Sequence, residues 1–365
     1  MRHRLHSLCP YFAMFPESFA ETWIERLTKR GDVVLDPFSG RGTTAFQALL
    51  MNRRAVAFDV NDVAYCLTKA KTQAPPLPGV KQRISKLENS FDGRSWRHEA
   101  EACPVFFRHA FATRTLQQLL FLRATLKWAT SPIDAMVAAL AIGSLHGEMD
   151  KSHSYFSNQM PRTISTKPAY SIRFWQDRGL VPPERDVFAL LRQRAVFRYE
   201  TLPPSGESHV FHRDMRELPW VRDQFPGRIK CCITSPPYFD VTSFEEDQWL
   251  RLWLLGGPPY PTRGRISRDD RHSFADNYWR FIADMWRSLG SAMSNNSDVV
   301  IRIGTHRMPP EQLIRQLTAS SKLSPKRVEL VGSEISEIKN RQTDAFRPGS
   351  KGCAVEADCH FNIRS

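Results

Sequence analysis

Apolar residues recur along this chain in two rhythms. Between positions 17 and 30, "ESFAETWIERLTKR" sets Phe19, Trp23, Ile24 and Leu27 on one face at helical spacing, and Gly31 closes the helix. "DVVLD" follows as a short unbroken apolar run, the pattern of a strand buried on both faces. The turn "PFSGRG" leads into "TTAFQALLMN", a helix with Thr43 or Thr44 in a capping position, and "RAVAFDV" is a second buried strand. Residues 32–60 thus predict strand, glycine turn, helix, strand, the unit of a parallel α/β sheet.

Further on the rhythm changes. Residues 71–101 are polar and contain prolines, which predicts a linker with one short helix. Residues 113–146 predict two helices, with Leu116, Leu119, Leu120 and Leu126 on one apolar face. The stretch "YFSNQMPRTISTKPAYSIRFW" (155–175) reads as irregular, and "PERDVFALLRQRAVFRYE" as a helix. After the loop "LPPSGES", α/β alternation resumes. "HVFHRD", "IKCCITS" and "SDVVIRIG" are the strands, and "FEEDQWLRLWLL" and "FADNYWRFIADMWRSLGSAM" the helices. "KRVELVGSEI" and "DCHFNIRS" predict an antiparallel ending. The expected organisation is therefore a sheet domain in two halves, 1–73 and 206–365, interrupted by a largely helical insert at 74–205.

Composition adds a partner. The 51 Lys and Arg outnumber the 38 Asp and Glu, giving a net charge of +13, a surplus that favours a polyanion such as nucleic acid. No apolar run approaches the roughly 20 residues of a membrane span, and no leader pattern opens the chain, so a soluble, cytoplasmic protein is expected. The seven cysteines are scattered and form no CxxC pair. Cys359-His360 with Cys353 upstream lacks a fourth ligand at a usual spacing, so no metal is expected. His146 and Glu148 lack the PCxxC that would complete a deaminase zinc site.

Candidate chemistry lies in two turns. In "DPFSGRGTT" (36–44), Gly40 and Gly42 permit a tight turn and close ligand approach at a strand's carboxyl end. Asp59 ends the next strand, 17 positions after Gly42, where a carboxylate can accept both hydroxyls of a ribose. The turn lacks GxxxxGK[ST], which disfavours a nucleoside triphosphate. In "TSPPYFD" (234–240), each proline fixes its own φ, and Pro237 also restricts Pro236.

These stretches carry a resemblance. "DPFSGRGTT", the preceding "FPESFAETWI" (15–24) and "TSPPY" together resemble the motifs of S-adenosylmethionine-dependent DNA amino-methyltransferases of the N4-cytosine/N6-adenine family. The resemblance implies a Rossmann-like methyltransferase fold with a mainly parallel seven-stranded sheet. It implies S-adenosylmethionine as cofactor and DNA as partner. A cognate restriction or phage-defence component is a further implied partner. Carried over by position, Phe15, Pro16, Asp36, Phe38, Gly40, Gly42, Thr43 and Thr44 would surround the methionine part, and Asp59 would hold the ribose. Asp214 would read the adenine amino group, or is an ordinary capping aspartate. Ser235, Pro236, Pro237 and Tyr238 would be catalytic: the Ser235 hydroxyl and Pro236 carbonyl accept protons from an exocyclic amine, and Tyr238 stacks on a flipped base. Serine at 235 favours cytosine N4 over adenine N6. Methylation of RNA by the same site, or a DNA-binding module without turnover, are the alternatives.

Cys231 and Cys232 sit inside a strand without the proline of a cytosine-C5 nucleophile and read as core residues. Only 20 residues separate Asp214 from Thr234, too few for a recognition domain there. In the insert, Arg162, Lys167 and Arg173 lie among Tyr170, Phe174 and Trp175, with Asn158 and Gln159 as candidate base-edge contacts. Arg263, Arg265, Arg268 and Arg271 in "PYPTRGRISRDDRH" form a second basic candidate. Either segment contacts DNA or is a solvated basic surface.

Overall fold

The computed structural model describes residues 2–11, 15–148, 155–159, 167–225, 228–239, 244–262, 275–305, 308–337 and 355–364. Two compact units are distinguished: Met1–Phe12, Lys69–Pro203 and Phe244–Gly264 form one, and Ala13–Thr68, Pro204–Ser243 and Arg265–Ser365 the other.

The second unit is built on the sheet. Its elements are α1 (Glu17–Leu27), β1 (Val33–Asp36), α2 (Thr43–Leu50), β2 (Arg54–Phe58) and the first part of α3 (Asp62–Thr72). They continue with β3 (Ser208–Phe211), a 3-10 helix (Met215–Gln224), β4 (Ile229–Thr234), α12 (Ala275–Ala292) and β5 (Ser297–Gly304). α13 (Pro310–Ser321), β6 (Arg327–Glu337) and β7 (Val355–Arg364) complete it. Seven strands pair in the order β3-β2-β1-β4-β5-β7-β6. The first five are parallel, and β7 runs antiparallel to both β5 and β6. This is the mainly parallel seven-stranded sheet of the Rossmann-like methyltransferase class.

Alternation along the strands divides two apolar layers. Val33, Leu35, Val56, Phe58, Cys232, Val299 and Ile301 join residues of the 3-10 helix, α12 and α13. Val34, Ala55, Ala57, Cys231, Ile233 and Val300 face α1 and α2. Both cysteines are buried, and burial pushes their thiols well above the usual range, as for core residues.

The chain leaves β1 toward β2 on one side, and β4 toward β5 on the other. The carboxyl ends of β1 and β4 therefore flank the crevice where open α/β sheets take ligands.

The other unit is helical: α4 (Leu77–Ser90), α5 (Arg97–Ala102), α6 (Val105–Ala110), α7 (Thr113–Thr125), α8 (Pro132–Ile142), α9 (Pro168–Gln176), α10 (Val187–Arg198) and α11 (Phe244–Leu254). Two sequence expectations change here. Residues 71–101 hold α4 and α5 rather than a linker with one short helix, since Val80, Ile84 and Leu87 bury one face of α4. The supposedly irregular stretch contains α9, whose Pro168 stands at its first position, where a missing N–H costs nothing. The division also differs from the expected boundaries, because Met1–Phe12 and Phe244–Gly264 cluster with the helices. Among the described residues no helix is long and apolar enough to cross a membrane.

Candidate active site

Asp36 ends β1 and is 1% exposed. Its Oδ1 accepts from the Thr234 hydroxyl at 2.7 Å and from the Phe38 amide at 3.2 Å. Burial nevertheless dominates and pushes its carboxyl up to about 6, against the lowering effect of these hydrogen bonds. Thr44, buried in the first turn of α2, donates to the Ile233 carbonyl at 3.0 Å. Two side chains thus tie the glycine turn to the end of β4, immediately before Ser235. Thr234 had no assigned role in the sequence reading, since nothing in its local pattern marks a partner 198 residues away.

The turn itself is stitched to β2. Ser39 N–H donates to the Phe58 carbonyl at 2.9 Å, and Gly40 N–H to Asp59 Oδ2 at 2.8 Å. Asp59 Oδ1 accepts from Asn61 N–H at 2.9 Å. The Asp59 carboxylate is thereby fixed at the strand end with an amide on each oxygen. Gly40 and Gly42 have φ of +50° and +72°, where a side chain is disfavoured. A Cβ on Gly42 would also lie 2.7 Å from the Thr68 hydroxyl. Gly42 therefore serves close packing of the turn on α3. It is also the N-cap of α2, which corrects the expectation that Thr43 or Thr44 caps this helix. Thr43 accepts instead from the buried Arg41 at 3.2 Å.

Phe15 and Pro16 precede α1, with Pro16 at its N-cap. The Phe15 ring is buried and lies 5.0 Å from that of Phe19, while Phe38 packs on Phe281 at 5.3 Å.

Asp214 caps the 3-10 helix in a reciprocal capping box with Glu217, and both its oxygens bond the Arg216 guanidinium. This is the capping role that the sequence left open. At the same edge, His212 contacts Asp62 Oδ1 at 3.1 Å and stacks on Tyr65 at 4.8 Å. Asp62 raises its pKa above the ordinary histidine value. Nothing in the local sequence around His212 or Asp62 marks this pair, which lies 150 positions apart.

Beyond β4, Pro236 is buried, and Ser235, Pro237 and Tyr238 are half-buried. Phe239 bridges Thr305 at the end of β5 and packs on Tyr278 at 5.2 Å. The Tyr238 hydroxyl donates to Glu356 Oε1 on β7 at 2.6 Å.

In the helical unit, Lys167 and Arg173 are exposed, as is Tyr170 beside them. Phe174 and Trp175 are buried instead, Trp175 against Phe106 at 5.8 Å, so they are packing residues. Asn158 is buried and donates to the His109 carbonyl at 2.9 Å, which removes it as a base-edge contact. Gln159 lends its carbonyl to the Trp175 indole at 3.2 Å. Arg162, Arg263, Arg265, Arg268 and Arg271 lie outside the described residues, as does Cys353. His360 pairs with Asp298 at 2.8 Å, and among the described residues no group of side chains could hold a metal ion.

A glycine turn, a fixed carboxylate and a proline-stiffened loop thus stand at the carboxyl edge of a parallel sheet, where open α/β sheets take ligands. Residues 2–70 match the profile of the DNA methylase family. The chain is 44% identical over 54 residues to the orphan methyltransferase M.BamHII of Bacillus amyloliquefaciens, covering 15% of this chain and 20% of that protein. It is 26% identical over 85 residues to the type II methyltransferase M.MjaII of Methanocaldococcus jannaschii, covering 23% and 16%. The matches thus span a fifth or less of these relatives' length. Among solved structures, TrmN from Thermus thermophilus aligns with 99% of this chain and 52% of its own, at 10% identity and a TM-score of 0.40.

S-adenosylmethionine is the methyl donor of this family, and the donor set fits it. The buried Asp36 carboxylate could meet an ammonium group, and the Asp59 carboxylate, held at the end of β2, could accept from ribose hydroxyls. Phe15 and Phe38 could wall such a donor, and the turn at 36–44 contains no lysine.

Proposed function

We propose that the chain methylates an exocyclic amine of DNA, cytosine N4 in the first place, by direct transfer to a base swung out of the duplex. The observation that carries this reading is the Thr234–Asp36 hydrogen bond, which ties the donor motif to the proline loop across the β1/β4 crevice. S-adenosylmethionine supplies an electrophilic methyl group when bound.

The amine's lone pair is delocalised into the base, so the site must draw the nitrogen toward tetrahedral geometry. In this reading the Ser235 hydroxyl and the Pro236 carbonyl accept hydrogen bonds from its two N–H groups, and the proton displaced by the incoming methyl group is released to solvent. Pro236 brings no N–H of its own to compete, and the two prolines hold the carbonyl in place. Asp36 meets the ammonium end of the donor and Asp59 its ribose, while Phe15, Pro16, Phe38 and Gly40 line its path. Thr43, Thr44 and Gly42 act behind them as packing and tethering residues. Positioning and fixed dipoles then supply most of the rate.

Lys167 and Arg173 are placed on DNA phosphates in this reading, with Arg162, Arg263, Arg265 and Arg268 added on sequence grounds. A serine rather than an aspartate before Pro-Pro-Tyr supports cytosine over adenine. The similarity to a type II methyltransferase supports a role in restriction-modification or phage defence.

The test compares purified Ser235→Ala and Asp59→Ala with the parent. Transfer of labelled methyl groups to DNA is measured beside calorimetric donor binding. Ser235→Ala should depress transfer and leave donor affinity within about twofold, and Asp59→Ala should weaken the donor. A fully active Ser235→Ala would remove the acceptor pair from the account.

A further inference from the structure

The proline loop is held at two points beyond its own stiffness. One is the main-chain bridge of Phe239 to Thr305, at the end of β5. The other is the Tyr238 hydroxyl, 2.6 Å from Glu356 Oε1. Glu356 is the second residue of β7, and across the ladder it faces Gly304, which places no side chain beside it. Its Oε2 lies 3.6 Å from the Arg302 guanidinium. Arg302 is in turn gripped by both oxygens of Asp358, at 2.7 and 2.6 Å, and its guanidinium sits over the Phe19 ring at 4.0 Å. Phe19 touches Phe15 of the donor motif.

A continuous series of contacts therefore runs from Phe15 through Phe19, Arg302 and Glu356 to Tyr238. Glu356 has one oxygen on the tyrosine and the other toward the arginine. A tyrosine ring on a short loop turns about two side-chain bonds, and fixing its hydroxyl removes that freedom. Because Tyr238 follows Pro237 directly, fixing the ring also limits where the Pro236 carbonyl points.

We propose that Glu356 is a positioning residue of the transfer site, which sets the Tyr238 ring and the neighbouring acceptors by holding the tyrosine hydroxyl. This rests on the methyltransferase reading for its consequence, although not for the anchor itself. Glu356 lies on the last, antiparallel strand, outside every motif of the sequence. Burial of the site above all, and then the charge of Glu356, hold the tyrosine hydroxyl in its protonated, donating form. Asp358 keeps Arg302 paired when Glu356 is changed, so substitution at 356 loosens the tyrosine without leaving the arginine alone.

The experiment uses the full chain with Glu356→Ala, Glu356→Gln, Tyr238→Phe and the double variant Glu356→Ala/Tyr238→Phe. Hydrogen exchange followed by mass spectrometry reads the peptide covering Thr234–Phe239 in the protein alone. Faster exchange is expected in Glu356→Ala and Tyr238→Phe, and near-parental exchange in Glu356→Gln, which keeps an acceptor. Single-turnover methyl transfer is then measured on DNA. Glu356→Ala should slow it about 10- to 100-fold, the scale of a misplacement near 1 Å. Donor affinity should change less than about twofold, and glutamine should recover most of the rate. In the Tyr238→Phe background Glu356→Ala should add little further, since the bond between the two side chains is already gone. Unchanged exchange in Glu356→Ala, or an effect fully additive with Tyr238→Phe, overturns the inference. Should Glu356→Ala not fold, Tyr238→Phe with parental exchange overturns it as well. A parent that shows the exchange pattern but transfers no methyl group would sink the methyltransferase reading and leave the anchor standing.

Discussion

Replacing Asp36 by asparagine should make the protein more stable at neutral pH and worse at holding its donor. The carboxyl is almost fully enclosed, and its pKa rises from 3.8 to about 6. A raised carboxyl means the folded state holds the proton more tightly than the unfolded chain does. Its contribution to stability is therefore complete below pH 3.8 and is lost as pH rises through about 6. A shift of roughly two units at about 1.36 kcal/mol each makes the ionised group cost about 3 kcal/mol at pH 7. Asparagine carries no charge, and its carbonyl can still accept from Thr234 and the Phe38 amide. The new amide hydrogens take back a part, so a net gain of about 1–3 kcal/mol at pH 7 is expected, shrinking toward zero near pH 4. Urea unfolding at both pH values reads this directly, as a shift in midpoint at constant slope. The same charge should serve the donor's ammonium group. Donor affinity of the parent should fall as pH drops below about 6, and the asparagine variant should bind weakly with no such dependence. A variant less stable than the parent at pH 7 would refute the reasoning, because the buried charge would then be compensated by something other than these contacts.

Two further outcomes follow from the geometry. Gly42→Ala should destabilise the sheet unit by about 1–2 kcal/mol or more, since it combines a left-handed φ with a 2.7 Å approach to Thr68; thermal melts against a Gly31→Ala control, where nothing lies within 4 Å, separate strain from crowding. Lys167→Ala and Arg173→Ala should weaken binding to any DNA sequence alike, each reducing the slope of log affinity against log salt by about 1, and unchanged slopes would assign both cations to plain solvated surface.

Much of the sheet was legible because its strands are buried on both faces and so read as unbroken apolar runs. The turns at 36–44 and 234–240 were legible because glycine and proline leave few backbone choices. The insert was harder. Prolines at 75, 76 and 78 masked α4, whose apolar spacing at Val80, Ile84 and Leu87 was nonetheless present, and Pro168 hid α9 although proline suits a first helical position. Asp214 showed both of its readings in "DMRE", a capping-box spacing that the structure fulfils. What could not be read were the long-range ties: Thr234 to Asp36, 198 residues apart, and Tyr238 to Glu356, 118 apart. Such contacts depend on strand order and register, which no local pattern encodes. Phe174, Trp175 and Asn158 looked like DNA contacts for the same reason, since burial within the helical unit is a property of the packed whole.

Methyl transfer to an exocyclic amine of DNA at the Ser235–Tyr238 loop leaves a product in the DNA itself. Its most direct test is mass spectrometry of nucleosides from DNA of cells producing the protein, beside cells producing a Pro236→Ala/Tyr238→Ala variant. N4-methylcytosine is expected with the intact protein only. N6-methyladenine in its place would keep the site and overturn the reading of Ser235, and DNA with neither base would contradict the claim.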